Sequence, residues 1–427
     1  MFAGALDAGV LSPALPALTK AFAIAPRDSA WVFTLYLIAN VVAIPIAAKL
    51  SDVYGRRPVY IACLVTFGCG SAFAVAAPTF DAFLAARAIQ AIGAGGIFPV
   101  ATAAIADGVP LERRGAALGM LGAVWGLAAI VGPNLGGVVT HFWSWRWIFA
   151  VNVPLAAIVA LLAMRTVPPG AARRRGPLDV VGIAALSVGL IGLMVGLTRL
   201  DAWGFVIAIG AFLALTVIER GAADPVIAPD LFATRQLALT YALELVIGML
   251  EAALFFIPSA LVAAQHLNAA LAGLVAAVGA FIFVATIPLA GRALDAFGSR
   301  TVLASGAILS ALGLGSFALT MHSLPLSIVT IALAGVGFGA LLGAPTRYII
   351  TSEVGQDRRA SGVGLLSIFL IMGMIVGGSL AGGIVGADIG DASAFRTTYL
   401  TFAALALAAA FGTRFLASKL RERGLSA

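Results

Sequence analysis

Four ionisable side chains lie where few are tolerated. Asp7, Arg87, Glu244 and Glu251 fall inside long apolar runs, away from the ends of those runs. On insertion scales a charge in such a place costs about 2.5–3.5 kcal/mol, so each must face a cavity or a partner. Glu244 and Glu251 are seven residues apart, which puts them on one face of a helix, two turns from each other. Apolar surroundings favour the neutral form of a carboxyl. A carboxyl held there can take a proton from one side of a barrier and release it on the other, or attract a cationic molecule. Arg87 offers a fixed positive charge that tunes a nearby carboxylate, or a tie between its helix and neighbouring backbone carbonyls. Other chemistry is thinly supplied. His141, His266 and His322 are scattered at predicted loop edges, and Cys63 and Cys69 are too far apart on one helix to bridge. No metal motif or disulfide framework is present in the sequence.

The elements that hold these groups follow from composition. Of 427 residues, 61% are hydrophobic and 11% charged. A soluble domain runs at about 45–50% apolar and about 25% charged. A soluble enzyme, a nucleic-acid binder and a disordered chain are therefore excluded, and the chain reads as an all-α integral membrane protein. A spanning helix needs about 20 mostly apolar residues. Between polar punctuation there are fourteen such runs: 1–18, 29–48, 58–77, 80–104, 115–139, 147–164, 179–198, 203–219, 236–261, 270–290, 301–320, 326–349, 360–386 and 397–415. The run at 1–18 is barely a membrane thickness, and the expectation is a first helix that begins upstream of Met1. Sorted by loop parity, 20 of the 26 lysines and arginines fall on one side and five on the other, with Arg87 alone within a span. By the positive-inside rule the basic side, which carries both termini, is cytoplasmic. The net charge of +7 is thus a topology signal for a multi-pass protein of the cytoplasmic (inner) membrane.

The sequence also repeats itself. Lys49-Leu-Ser-Asp52-Val-Tyr-Gly55-Arg56-Arg57 follows the second run, and Arg292-Ala-Leu-Asp295-Ala-Phe-Gly298-Ser-Arg300 follows the tenth, 243 residues later. Gly122, Gly126 and Gly132-Pro133-Asn134-Leu135-Gly136-Gly137 in the fifth run are echoed by Gly373, Gly377-Gly378 and Gly382-Gly383 in the thirteenth. These echoes fall at equivalent places only if runs seven and eight are an insert. The expected organisation is a six-helix half (1–165), a two-helix insert with its linkers (166–235) and a second six-helix half with a short tail (236–427). Two parallel halves around a central site is a transporter plan.

At these residues the chain resembles the major facilitator superfamily, in its 14-helix drug:proton antiporter branch. The loop 49–57, Arg87-Ala-Ile-Gln90-Ala-Ile-Gly93, Gly132-Pro133-Asn134-Leu135-Gly136-Gly137 and Trp145-Arg146-Trp147-Ile148-Phe149 are similar to motifs of that branch. So are the insert opening Gly176-Pro177-Leu178-Asp179 and the leading Leu6-Asp7. The resemblance implies the major facilitator fold and proton-coupled export of small lipophilic or amphipathic compounds by alternating access. It implies proton or substrate handling by Asp7, Arg87, Glu244 and Glu251. It implies a cytoplasmic gate at Asp52, Gly55, Arg56, Arg57, Asp295 and Arg300. Gly126, Gly132, Pro133, Gly136 and Gly137 would form the antiporter seam, or a plain packing face. Expected partners are a small-molecule substrate, protons and the bilayer, with no nucleic acid, and the chain is expected to work as a monomer. No cofactor is expected, the proton gradient being the energy source, and no phosphate-binding loop for ATP is present in the sequence. A membrane enzyme is disfavoured, since His, Cys and paired acids do not gather at one membrane face. A dedicated metabolite transporter and a non-cycling membrane sensor stand as alternatives.

Overall fold

The computed structural model describes residues 14–24, 31–110, 113–121, 124, 139–140, 142–167, 179–199, 202–222, 225, 227, 229–267, 269–385 and 392–417. Among these, every regular element is helical. In chain order they are α1 (Leu15–Phe22), α2 (Trp31–Tyr54), α3 (Arg56–Ala76), α4 (Phe80–Gly108), α5 (Arg146–Ala150), α6 (Asn152–Thr166), α7 (Val180–Arg199) and α8 (Ala202–Gly221). There follow α9 (Arg235–Leu254), α10 (Ile257–Gln265), α11 (Ala269–Phe297), α12 (Ser299–Thr320), α13 (Leu324–Leu342), α14 (Pro345–Glu353), α15 (Arg359–Val385) and α16 (Ala392–Gly412). Eleven stretches among the described residues are long and apolar enough to cross a membrane, and Val180–Gly196 is a shorter apolar helix. These twelve coincide with twelve of the fourteen expected runs. The other two, 1–18 and 115–139, fall largely outside the described residues, as do Asp7, Gly126, Gly132, Pro133, Gly136 and Gly137.

Local chemistry sets the helix boundaries. Thr79 and Thr234 cap α4 and α9, their side chains accepting from the backbone N–H of Ala82 and Leu237. Three expected spans are each split, the run 147–164 at Val151 between α5 and α6. Pro258 has no N–H for the Leu254 carbonyl, so the run 236–261 breaks between α9 and α10, with Phe255 and Phe256 bonding three residues back instead. Pro345 does the same between α13 and α14.

The internal repeat is visible in the backbone. Among the described residues four have positive φ: Ala23 (50°), Gly55 (96°), His266 (53°) and Gly298 (86°). They form two pairs, each 243 residues apart. Ala23 and His266 are left-handed caps that end α1 and α10. Gly55 and Gly298 turn the chain between α2 and α3 and between α11 and α12, and only glycine adopts that geometry without strain. Packing repeats as well. α4 lies against α2 and α3, and α13 lies against α11 and α12 in the same way. The largest apolar core draws only on residues 243–416, while separate cores gather residues 14–149 and 47–160.

The hairpin α7–α8 sits across a seam. Leu186 and Leu190 of α7 and Leu215 of α8 share one buried cluster with Val41 and Ile44 of α2 and Ile368 of α15. The outer face of α8, with Trp203, Val206, Leu213 and Val217, is exposed in the isolated chain, as a lipid-facing helix would be.

Candidate functional site

The C-terminal acidic pair is positioned by one close helix contact. On α9, Gly248 lies between Glu244 and Glu251 on the same face. A Cβ at Gly248 would collide with the Leu370 carbonyl of α15, and one at Gly373 with the Leu245 carbonyl of α9. The two backbones therefore touch, and the two glutamates flank the contact. They are 2% and 6% exposed, and the Oε2 atom of each is buried with no hydrogen-bond partner among the described residues.

A further buried charge, on a helix packed against α9, is Arg347 of α14, which is 8% exposed. Thr346, the residue before it, is buried as well. The helix break at Pro345 explains why an arginine is stable here. It leaves carbonyls free at the end of α13, and Arg347 Nη1 donates to those of Leu342 (2.9 Å) and Gly343 (2.6 Å). Its guanidinium also lies 4.7 Å from the ring centre of Phe98 on α4. Sequence parity counts Arg347 among the loop charges, and the structure corrects this. Proline restarts the helix inside the apolar run instead of ending it, so Arg347 is buried with the helices.

Arg87 on α4 is 1% exposed. Its Nη1 donates to Gln90 Oε1, Gln90 Nε2 donates to Ser71 Oγ (2.8 Å), and Ser71 donates to the Phe67 carbonyl (2.9 Å). The guanidinium lies 4.2 Å over the ring of Tyr36 and 5.6 Å from that of Phe149. These described contacts tie α4 to α2, α3 and α5.

The repeated loops meet at one end of the bundle. Asp52, at the end of α2, accepts from the backbone N–H of Ala360 (3.2 Å) and Ser361 (2.8 Å) and from the Ser361 hydroxyl (2.6 Å). It thus sits on the N-terminus of α15, where the helix dipole favours an anion. Asp52 also pairs with Arg56. Arg56 reaches Asp107 (3.0 Å) and the Gln356 carbonyl (2.6 Å), and Arg359 binds the other oxygen of Asp107 (2.6 Å). The second loop mirrors the first. Asp295 accepts from the backbone N–H of Gly115 and Ala116, both at 3.0 Å, at the start of the helical stretch 113–121. Arg57 donates to the Val167 carbonyl (2.5 Å), and Arg300 is half-buried at the start of α12. Asp52 and Asp295 each belong to one repeat and cap a helix of the other.

The sequence model of the Major Facilitator Superfamily matches residues 1–223 and 237–425. The chain belongs to that superfamily. It is 33% identical over 420 residues to the uncharacterized MFS-type transporter YfiU of Bacillus subtilis (strain 168), covering 92% of this chain and 79% of the relative. It is 35% identical to Multidrug resistance protein 3 of the same organism over 229 residues, 51% of this chain and 45% of that protein. It is 27% identical to the multidrug transporter protein MdtP, also of B. subtilis, over 80% of this chain and 64% of that one. Among solved structures, the human organic anion transporter MFSD10 superposes with a TM-score of 0.73 at 17% identity, covering 96% of each chain. The proton:xylose symporter XylE does so with a TM-score of 0.67 at 17% identity, covering 98% of this chain and 94% of that one. At that identity the structures speak for the fold. This superfamily member is accordingly a multi-pass membrane transporter with the major facilitator fold.

Three residues of the site carry weaker sequence signals than those singled out above. Arg347 lies two residues inside its predicted span, which was the clue to its burial. Asp107 is an acid in the last turn of α4, where the helix dipole disfavours it, so a cationic partner was to be expected. Ser361 looks like any small residue of a helix start.

Proposed function

We propose that this transporter is a proton-coupled exporter of small lipophilic or amphipathic compounds, working by alternating access in the cytoplasmic membrane with both termini inside. The observation that carries the reading is the burial of Glu244, Glu251 and Arg347. Two carboxyls without full hydrogen bonding, held among apolar helices, are the groups that proton exchange requires. Asp7 and Arg87 would serve the first repeat in the same way, and the seam glycines with Pro133 would limit leak. The contacts of Asp52, Arg56 and Asp107 with α15, and of Asp295 with 113–121, support a closed cytoplasmic gate. Opening it means withdrawing two aspartates from two helix N-termini. The multidrug-named relatives support the substrate class. The proton gradient supplies the energy, and one chain suffices.

The test is transport in vesicles. With an imposed pH gradient the reconstituted protein should expel ethidium, and Glu251→Gln should abolish this at unchanged expression. Transport that persists after the gradient is collapsed would overturn the coupling. Labelling of cysteines placed at 170–176 from outside the cell would overturn the orientation.

A further inference from the structure

Resting on the reading of the loop contacts as a closed cytoplasmic gate, we infer that the linker 225–232, which follows the α7–α8 insert, is a strap across that gate. Lys49 is the hook it must release when the gate opens.

The linker is stiff and held at both ends. Pro225 and Pro229 each fix a backbone φ, so little slack lies between them. Its near end folds back on α8, where Glu219 Oε1 accepts from the Ile227 N–H at 2.7 Å. Ile227 packs against two apolar clusters at once. One holds Val41 and Ile44 of α2 with Ile368 of α15, and the other holds Tyr241 of α9 with Ile350 of α14. The far end is planted in the second repeat. Leu231 is 1% exposed, in the cluster of Leu237, Tyr241, Ile350, Val354 and Val363. Asp230 beside it pairs with Arg358, and Thr234 donates to Glu353 Oε2 at 2.7 Å.

The first repeat reaches this linker through Lys49. Its Nζ donates to the Pro225 carbonyl at 2.9 Å, and the residue is only 5% exposed. Lysine is almost never buried unless something holds its ammonium. Both anchors adjoin the gate. Lys49 lies one turn before Asp52, which binds the backbone of Ser361 at the start of α15. Arg358 precedes Arg359, which holds Asp107 of α4. The linker thus joins the α2 side of the gate to the α15 side.

The anchors differ in what it takes to break them. Parting α2 from α15 pulls Lys49 and Leu231 in different directions, because they belong to different repeats. The second-repeat end combines a buried leucine, an ion pair and a hydrogen bond with chain continuity into α9. The Lys49 contact, made to a backbone carbonyl, therefore yields first. The insert takes part in gating through this linker, although it belongs to neither repeat.

Cysteine labelling in inside-out vesicles tests this without a substrate. Ala103 is fully buried with Ala48 of α2 and Ala360 of α15. A cysteine there, in a background lacking Cys63 and Cys69, reports gate opening to a membrane-impermeant maleimide. Lys49→Met should speed the reaction about tenfold, for the loss of one charged hydrogen bond, and Lys49→Arg should not. Leu231→Ala frees the other end and should act alike. Lys49→Met/Leu231→Ala should be no faster than the faster single variant, since a strap cut at one end is already slack. Lys49→Met and Asp52→Asn should multiply. An unchanged rate in Lys49→Met overturns the inference, as do multiplying effects of Lys49→Met and Leu231→Ala. So does equal acceleration at Ala406→Cys, in the second-repeat core, because the cause would then be unfolding. Should Leu231→Ala fail to fold, the Lys49 variants alone decide it. Asp52→Asn by itself is read separately. An unchanged rate there beside a fast Lys49→Met would sink the Asp52 gate and leave the strap standing.

Discussion

Asp52→Asn is the perturbation whose size can be worked most directly. The Asp52 carboxylate receives four hydrogen bonds, from Ala360 N–H, Ser361 N–H, Ser361 Oγ and Arg56. An asparagine keeps one acceptor oxygen and turns an NH2 group toward donors, so at least two of the four are lost. Hydrogen bonds to a charged group contribute about 1.5–3 kcal/mol each. Arg56 retains Asp107 and the Gln356 carbonyl, so the lower sum, about 3 kcal/mol, is the working figure. Since about 1.4 kcal/mol is a factor of ten, the open-gate population should rise by about two orders of magnitude. Ala103 provides the reporter site. It is fully buried in a small cluster with Ala48 of α2 and Ala360 of α15, directly under this contact. In a background lacking Cys63 and Cys69, an Ala103→Cys protein should react slowly with a membrane-impermeant maleimide. Adding Asp52→Asn should speed the reaction about a hundredfold, in proportion to the open population. Asp295→Asn should act in the same direction through Gly115 and Ala116. An unchanged labelling rate in a folded Asp52→Asn protein would show that this contact holds no gate.

Three further perturbations test the packing. Gln90→Leu removes the acceptor of Arg87 and the donor to Ser71, and should cost about 1–3 kcal/mol, read as a lower unfolding temperature in detergent. Gly248→Val drives a side chain into the Leu370 carbonyl and should cost about 1–3 kcal/mol or more and reduce the yield of monodisperse protein. Gly378→Ala, where a Cβ meets nothing within 4 Å, should be neutral, and equal behaviour of the two would refute the close α9–α15 contact. Gly55→Ala and Gly298→Ala should lower the unfolding temperature alike, each forcing a side chain into a positive-φ turn at about 1–3 kcal/mol. A drop in only one of them would deny the equivalence of the two turns.

Much of this was legible in the residues themselves. Apolar run length marked the helices, because a bilayer imposes one length on all of them. The spacing of Glu244 and Glu251 placed them on one face, because helical periodicity is local. Gly55 and Gly298 announced their turns by residue type. What escaped depends on docking. The inter-repeat backbone partners of Asp52 and Asp295, the N–H groups at 360, 361, 115 and 116, leave no side-chain signature. Arg347 was hidden by its place near a span edge, where an arginine normally reaches water. Only the kink at Pro345 turns it inward, and a proline in an apolar run does not by itself say which way the next turn will point.

The α7–α8 hairpin has a mechanical consequence. Its cluster joins Val41 and Ile44 of one repeat to Ile368 of the other, on the two helices that Asp52 also ties together. Any motion that parts α2 from α15 must shear this greasy joint or leave the hairpin riding on one side with a fresh apolar face exposed. In a bilayer that face is wetted by acyl chains at little cost, whereas in water it would not be. The insert thus makes the stiffness of the seam a property of the surrounding lipid as well as of the protein.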